Sequence, residues 1–204
     1  MANDLNNISQ SSLEFIAKYF SKFMVMTTDE VKELMGYCEL RKFEKKEQIL
    51  DYGEVDDYLN MMVSGIVIKY IKVKNKEIIL QLSTEGHVVH SEISFLTRTP
   101  SQVYLKALEP VTMISLSYDK MQEALQNFPK GERLGRLIQE SMYVKKDERR
   151  YGMLSKTMRE RFTEYVTHQP HMLQRVPQKY LASYLNITSE TFSRFKLLLQ
   201  KKQI

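Results

Sequence analysis

Two side chains near the carboxyl end, Glu190 and Arg194, have types and spacing suited to reading a base pair. Four residues apart on a helix, they share one face. A guanidinium can fork two hydrogen bonds onto guanine, and a carboxylate can accept from cytosine N4. Ser189 and Ser193 flank them and can reach a base edge. Ser189, Glu190, Ser193 and Arg194 are therefore the candidate base-reading set. Gln178, Lys179, Thr188, Lys196 and Lys201 are candidates for phosphate contacts, which position a protein without specifying sequence. The N-terminus of the helix that begins near Ser189 offers backbone N–H groups to a phosphate as well.

Such side chains reach a groove only if a pair of helices presents them. The stretch QKYLASYLNITSETFSRFKL, residues 178–197, has the pattern of a helix-turn-helix. Two helices that meet steeply share a small core, and the positions facing it hold Leu181, Leu185, Ile187, Phe192 and Phe195. Ala182 is small where the second helix crosses closest. Asn186 stands where the turn needs left-handed backbone, which suits glycine and, next best, asparagine. Pro177 falls at a first helical position, where its missing N–H costs nothing. Thr188 can cap the second helix, with Glu190 in its first turn. An ordinary helical hairpin would need the apolar positions alone, not the small and left-handed ones. The motif also coincides with the charge. In residues 170–204, Arg175, Lys179, Arg194, Lys196, Lys201 and Lys202 face Glu190 alone, which accounts for the whole net charge of +5. Clustered positive charge draws phosphate by Coulomb attraction and counterion release.

The remaining chemistry is sparse. A lone cysteine, Cys38, excludes an internal disulfide framework, a Cys-only zinc site and an iron–sulfur cluster. The histidines form two H-x-x-H pairs, His87/His90 and His168/His171. The first lies in strand-like sequence and Pro170 interrupts the second, so no metal is expected, although Glu92 could join His90 in a metal or haem site. No H-E-x-x-H, P-loop, dinucleotide fingerprint or G-x-S-x-G occurs, so an enzyme is not expected. No apolar run is long enough for a membrane span, and no leader-type segment opens the chain. A soluble, cytoplasmic protein with no membrane partner is expected. At 204 residues and 43% hydrophobic residues, the chain can bury one large core or two small ones.

Hydrophobic periodicity places the elements that carry these residues. SLEFIAKYFSKF spaces Leu13, Ile16, Phe20 and Phe23 as a helix, with Ser11 or Ser12 as its cap. TTDEVKELM reads as a second helix capped by Thr27 or Thr28. From about Cys38 to Leu116, β-rich runs alternate with turns, as in YLNMMVSGIVIKYIKV and KNKEIILQL. Ile66, Ile68 and Tyr70 face one side and Val67, Lys69, Ile71 and Val73 the other, which predicts an antiparallel barrel or sandwich. Met61, Met62 and Met113 either line an adaptable pocket or fill the core. A heptad register from Glu132 places Leu134, Leu137, Ser141, Val144, Glu148, Tyr151, Ser155 and Met158 at successive a and d positions, interrupted by KKDERR (residues 145–150). The pattern fits an amphipathic helix packed on its own domain, or a long helix paired with its twin through Leu134, Leu137, Ser141, Val144 and Tyr151. Gln169-Pro170 closes a further helix, TMRERFTEYVTH.

A β-roll, a long helix and a C-terminal helix-turn-helix together resemble the Crp/Fnr family of bacterial regulators over nearly the whole chain. VPQKYLASYLNITSETFSRFK is the most specific part; YGEVDDYLNMMVSGIVIKY, with Gly53-Glu54 and Ser64-Gly65 at turn positions, resembles the family's opening hairpins. The resemblance implies an α+β chain: an antiparallel, jelly-roll-like β-roll effector domain over residues 1–130, a dimerisation helix over 131–154 and a winged helix-turn-helix over 155–204. It implies a homodimer on a two-fold-related double-stranded DNA site, with RNA polymerase as a further partner. Glu190 and Arg194 match the family's base readers, whereas Ser189 stands where an arginine often sits.

The family's cyclic-nucleotide binders hold the cyclic phosphate through an arginine and backbone N–H groups, and the ribose hydroxyl through a glutamate. Ser91-Glu92-Ile93 resembles the first half of that cassette, but Ser101-Gln102-Val103 lacks the arginine, and Arg98 lies three residues upstream. Loss of a bidentate charge-assisted partner costs a buried phosphate roughly 2–3 kcal/mol. Ser91, Glu92, Ile93, Arg98, Ser101 and Gln102 are therefore candidates for an effector pocket, with an unknown small molecule in place of a cyclic nucleotide. The alternative function is a β-roll module that binds a ligand or protein and does not act on DNA.

Overall fold

The computed structural model describes residues 10–74 and 76–201. Its contacts divide the chain into two units, residues 1–70 with 82–141 and residues 71–81 with 142–204.

The first unit opens with α1 (Gln10–Phe20) and α2 (Thr28–Met35). Ser11 and Ser12, expected to cap α1, lie inside it instead, because the helix already begins at Gln10. In the first turn a serine's own N–H needs no helical partner, so the two residues cost little there. Thr27 caps α2 through a reciprocal box: its hydroxyl accepts from Glu30 N at 3.2 Å, and the Glu30 carboxylate accepts from Thr27 N at 2.7 Å.

Eight strands follow among the described residues. They are β1 (Cys38–Phe43), β2 (Gln48–Leu50), β3 (Tyr58–Ser64), β4 (Val67–Val73), β5 (Lys76–Ser83), β6 (Val88–Val89), β7 (Tyr104–Ala107) and β8 (Val111–Ser117). They build two four-stranded sheets, ordered β1-β8-β3-β6 and β2-β7-β4-β5. The pairing of β1 with β8 runs antiparallel from Cys38 opposite Leu116 to Phe43 opposite Val111, and that of β4 with β7 from Val67 opposite Ala107 to Tyr70 opposite Tyr104. The core holds Leu50, Met62, Val67, Val89, Leu105, Ala107, Val111 and Met113, inward residues at every second position. Met62 and Met113 are thus core filling, and Met61 packs with Ile16, Val31, Met35, Cys38 and Ile114. At the β3–β4 turn Gly65 has φ +94°, and a Cβ there would stand 2.5 Å from the Pro110 carbonyl oxygen. Only glycine meets both conditions.

The roll also carries α3 (Glu92–Thr97) and α4 (Tyr118–Asn127), the latter capped by the Ser117 hydroxyl, which accepts from Lys120 N at 3.3 Å. The helix α5 (Gly131–Ser155) has 25 residues, about 37 Å at the usual rise. Its first turn belongs to the core: Leu134 is buried with Leu34 and Phe128, and Phe20, Phe23 and Ile138 pack around them.

In the second unit the rest of α5 is followed by α6 (Met158–His168), α7 (Met172–Arg175), α8 (Gln178–Tyr184) and α9 (Ser189–Lys201). Thr157 and Glu160 cap α6 reciprocally, and the helix stops two residues before Pro170. Phe162 meets Phe192 edge-on at 5.0 Å and Phe195 at 5.4 Å, making the aromatic centre of the helical module. Residues 71–81 join this unit: Ile79 N–H donates to the Ser183 hydroxyl at 3.0 Å, and that hydroxyl donates to the Glu77 carbonyl at 3.3 Å. The expected wing is not present among described residues 142–201, which contain no strand. Met172–Arg175 turns as a short helix without β-type alternation, and α9 runs unbroken to Lys201.

Candidate functional site

The turn between α8 and α9 forms as its residue types dictate. Asn186 has φ +53°. Its N–H donates to the Ser183 carbonyl at 3.0 Å, and Ile187 N–H donates to the Ala182 carbonyl at 3.0 Å, closing the end of α8. Thr188 then caps α9, its hydroxyl accepting from Thr191 N at 3.1 Å. Ala182 is 1% exposed, and Leu181, Leu185 and Phe192 are buried around it. Ile187 and Phe195 are half-buried. Pro177, expected inside the first turn, is instead the residue just before α8, where its fixed backbone starts the helix equally well.

Two arginines hold this turn from behind. Arg161 of α6 donates from Nε to the Leu185 carbonyl at 3.0 Å and from Nη2 to the Asn186 carbonyl at 3.4 Å. Arg149 of α5 donates to the Tyr184 carbonyl at 2.8 Å, its guanidinium carbon 3.7 Å from the Tyr184 ring centre. The last carbonyls of a helix have no internal partner, and these guanidiniums supply one. Sequence reasoning missed both residues. Arg149 was visible only as part of a charged break in the heptad, and Arg161 as one basic residue on an amphipathic helix.

Ser189, Glu190 and Arg194 are exposed on the first turns of α9, with Leu197 beyond them. Ser193 is half-buried, and its hydroxyl accepts from Gln178 Nε2 at 2.6 Å; the same amide donates to the Ser189 carbonyl at 3.1 Å. Gln178 and Ser193, expected on the DNA side, thus bind one another across the helix crossing. Lys179 and Thr188 are exposed, and Lys196 is half-buried. The Lys201 side chain lies outside the described residues.

Of the five heptad candidates on α5, Leu134 is buried, Leu137 and Ser141 are half-buried, and Val144 (53%) and Tyr151 (55%) are exposed. Tyr143 and Leu154 (81%) extend this apolar surface.

The effector candidates divide. Ser91 and Ser101 come together, their hydroxyl oxygens 3.0 Å apart, and Glu92 follows Ser91 at the start of α3. The Ser101 backbone is bonded to the β2–β3 connection, N–H to Glu54 O at 2.7 Å and O from Gly53 N at 2.8 Å. Ile93 and Gln102 are exposed and do not join them. Arg98 does not either, contrary to the expectation. It ends α3 at φ +58° and donates to the Asp56 carbonyl at 2.8 Å and to the Asp57 carboxylate, lying 4.5 Å from the Tyr118 ring centre. An adjacent carboxylate and ring face hold it there. The residue that does meet Glu92 was not foreseen. Lys69 of β4, 5% exposed, places Nζ 2.8 Å from both Glu92 carboxylate oxygens and 3.2 Å from the His90 carbonyl. Its signal was a lysine on the same strand face as Val67. Burial pushes the Glu92 carboxyl up; the Lys69 charge and hydrogen bonds, with His90, outweigh this and hold its pKa at about 2.

Among the described residues no group of three His, Cys, Asp or Glu could hold a metal ion, and no helix is long and apolar enough to cross a membrane.

Residues 40–128 match the cyclic nucleotide-binding domain family. No curated protein sequence matches the chain. Among solved structures, the chain is similar to the c-di-GMP responsive global regulator CLP of Xanthomonas campestris. The identity is 16%, the alignment covers 87% of this chain and 93% of CLP, and the TM-score is 0.63. FixK2 of Bradyrhizobium japonicum is 19% identical over 82% of this chain and 86% of its own, with a TM-score of 0.64. The catabolite activator protein of Thermus thermophilus is 18% identical over 89% and 87%, with a TM-score of 0.53. Residues 40–128 are thus a domain of the cyclic nucleotide-binding type, and the chain has the fold of the Crp/Fnr regulators.

Proposed function

We propose that this chain is a dimeric, sequence-specific DNA-binding regulator whose α9 reads the major groove. The observation that carries the reading is the α8–Asn186–α9 turn. It buries Leu181, Ala182, Leu185 and Phe192 and leaves Ser189, Glu190 and Arg194 exposed at the start of α9. In a helix-turn-helix the N-terminal residues of the second helix contact base edges. Arg194 forks onto guanine, Glu190 accepts from cytosine, and Ser189 reaches a base or phosphate. Lys179, Thr188, Lys196 and Lys201 take phosphates, and the N-terminus of α9 adds its own N–H groups. Gln178 and Ser193 keep the two helices in register, so they act on DNA through the placement of α9. The positive excess of residues 170–204 supplies attraction independent of sequence.

Dimerisation runs through the exposed surface of α5 at Val144, Tyr151 and Leu154, two copies of which present two α9 helices to a two-fold-related site. Selection of bound duplexes from a random pool tests the reading. A recurrent two-fold-related sequence, bound with an affinity that falls log-linearly with salt, is expected. Recovery of no enriched sequence would sink it and leave the β-roll module that does not act on DNA.

A further inference from the structure

A cyclic nucleotide is a phosphodiester anion with hydroxyls. Burying it requires a cation or several free N–H groups for the phosphate, and an unengaged acceptor for a hydroxyl. In the cassette region of this roll, the Glu92 carboxylate and the Ser91 and Ser101 N–H groups are engaged with its own chain. The Glu92 carboxylate receives Lys69 Nζ on both oxygens. Lys69 is the buried lysine or arginine among the described residues, and Glu92 balances its charge. The Ser101 N–H donates to Glu54 O, and the Ser91 N–H donates to the Asp56 carboxylate at 2.6 Å. Asp56 is itself buried, so a negative group already sits beneath the loop. Arg98 is turned away onto Asp57 and Tyr118, and Gln102 carries no charge. An incoming phosphodiester would meet a neutral pair and a carboxylate. To gain the Lys69 cation it would have to strip Glu92 of its partner and leave that carboxylate beside the new anion, which a partly buried site strongly disfavours.

We infer that Lys69 is a built-in ligand of the β-roll, tying α3 to β4 from inside through Glu92 and the His90 carbonyl, so that the domain takes no cyclic nucleotide. The domain keeps the architecture of a nucleotide sensor with the cassette already closed. The chain leaves β4 at Val73, and the N–H bonded to Ser183 of α8 is that of Ile79 on the next strand, β5.

The test is titration calorimetry and thermal unfolding of the full chain with cyclic AMP, cyclic GMP and cyclic di-GMP. No saturable heat and no rise in Tm is expected with any of them up to about 1 mM. A dissociation constant well below that, or a rise in Tm that grows with nucleotide concentration, overturns the inference. Unfolding of Lys69→Met, Glu92→Gln and the double variant tests the tie itself. Each single substitution should lower Tm, and the double variant should lose less than the two combined, since removing both partners leaves no orphaned charge. Strictly additive losses overturn it. Should a single variant fail to fold, acid unfolding decides. The wild type, whose Glu92 pKa lies below its ordinary 4.5, should lose stability as pH falls from about 4.5 to about 2. In the double variant that loss should be smaller; an unchanged acid profile counts against the tie.

Discussion

At the scale of single residues, the proposed reading separates a base contact on α9 from a phosphate contact on α8. Arg194 is exposed and bidentate in type, so Arg194→Ala should cost about 1–3 kcal/mol on the selected site and relax preference at one base pair. Lys179 is exposed, and the proposed reading gives it a phosphate, so Lys179→Ala should weaken selected and random duplexes alike. Fluorescence anisotropy on both duplexes distinguishes the two, and equal losses for Arg194→Ala would remove its reading role. Asn186 has a different task. At φ +53°, an alanine would meet a left-handed cost of about 1–2 kcal/mol, while glycine would not. Denaturant unfolding should therefore rank Asn186→Gly near the wild type and Asn186→Ala below it. Cys38 is the one thiol, and burial, with the neighbouring Glu39 charge, pushes it up to about 12. A disulfide reagent at pH 8 should leave it untouched in the folded chain and label it once unfolded, because only the thiolate reacts.

At the scale of elements, α5 has a buried first turn and an exposed apolar surface farther along. Its first turn is core: Leu134 sits against Leu34 and Phe128, so Leu134→Ala should cost about 2–5 kcal/mol of folding stability. Farther along, Val144, Tyr151 and Leu154 are more than half exposed. Val144→Glu with Tyr151→Glu should leave the fold intact and shift sedimentation toward the monomer. A dimer that persists with both charges in place would move the interface elsewhere. Between these surfaces and α9 stands Arg149, which α5 uses to satisfy a carbonyl of α8. The charged run that interrupts the heptad is therefore part of how the helix-turn-helix is held. The helices α8 and α9 are short, seven and thirteen residues, and isolated helices of that length are marginal in water. Their order comes from Phe162, Arg149 and Arg161, not from propensity.

At the scale of the whole molecule, charge is unevenly distributed. The positive excess lies within residues 170–204, while the rest of the chain is balanced, and on the proposed reading it is this excess that attracts a duplex. Affinity for any duplex should fall steeply with salt, with a log–log slope of about −0.9 for each phosphate neutralised. Substituting Lys179 should flatten that slope by roughly one such step, measured across a salt series. Blocking dimerisation at Val144 and Tyr151 should lower affinity for a two-fold-related site far more than for an isolated half-site, because two linked recognition helices bind with a raised effective concentration. Equal losses on both would argue that one α9 acts alone.

The sequence by itself determined whatever depends on local steric and periodic rules. The left-handed turn at Asn186, the small residue at Ala182, the cap at Thr188, a threonine cap for α2 at Thr27 or Thr28, the stop before Pro170 and the strand alternation were all legible, because each is set by a residue and its near neighbours. Tertiary structure alone decided where long, flexible polar side chains ended. Arg98 went to Asp57 instead of the cassette, Gln178 to Ser193 across the helix crossing, and Arg161 to a helix end 24 residues away. Lys69 went to Glu92, 23 residues on. A buried charge must find a partner wherever the fold brings one, and periodicity carries no record of which distant group that is. The wing was expected from resemblance alone, and the local sequence of α7 and α9, which lacks β-type alternation, did not support it.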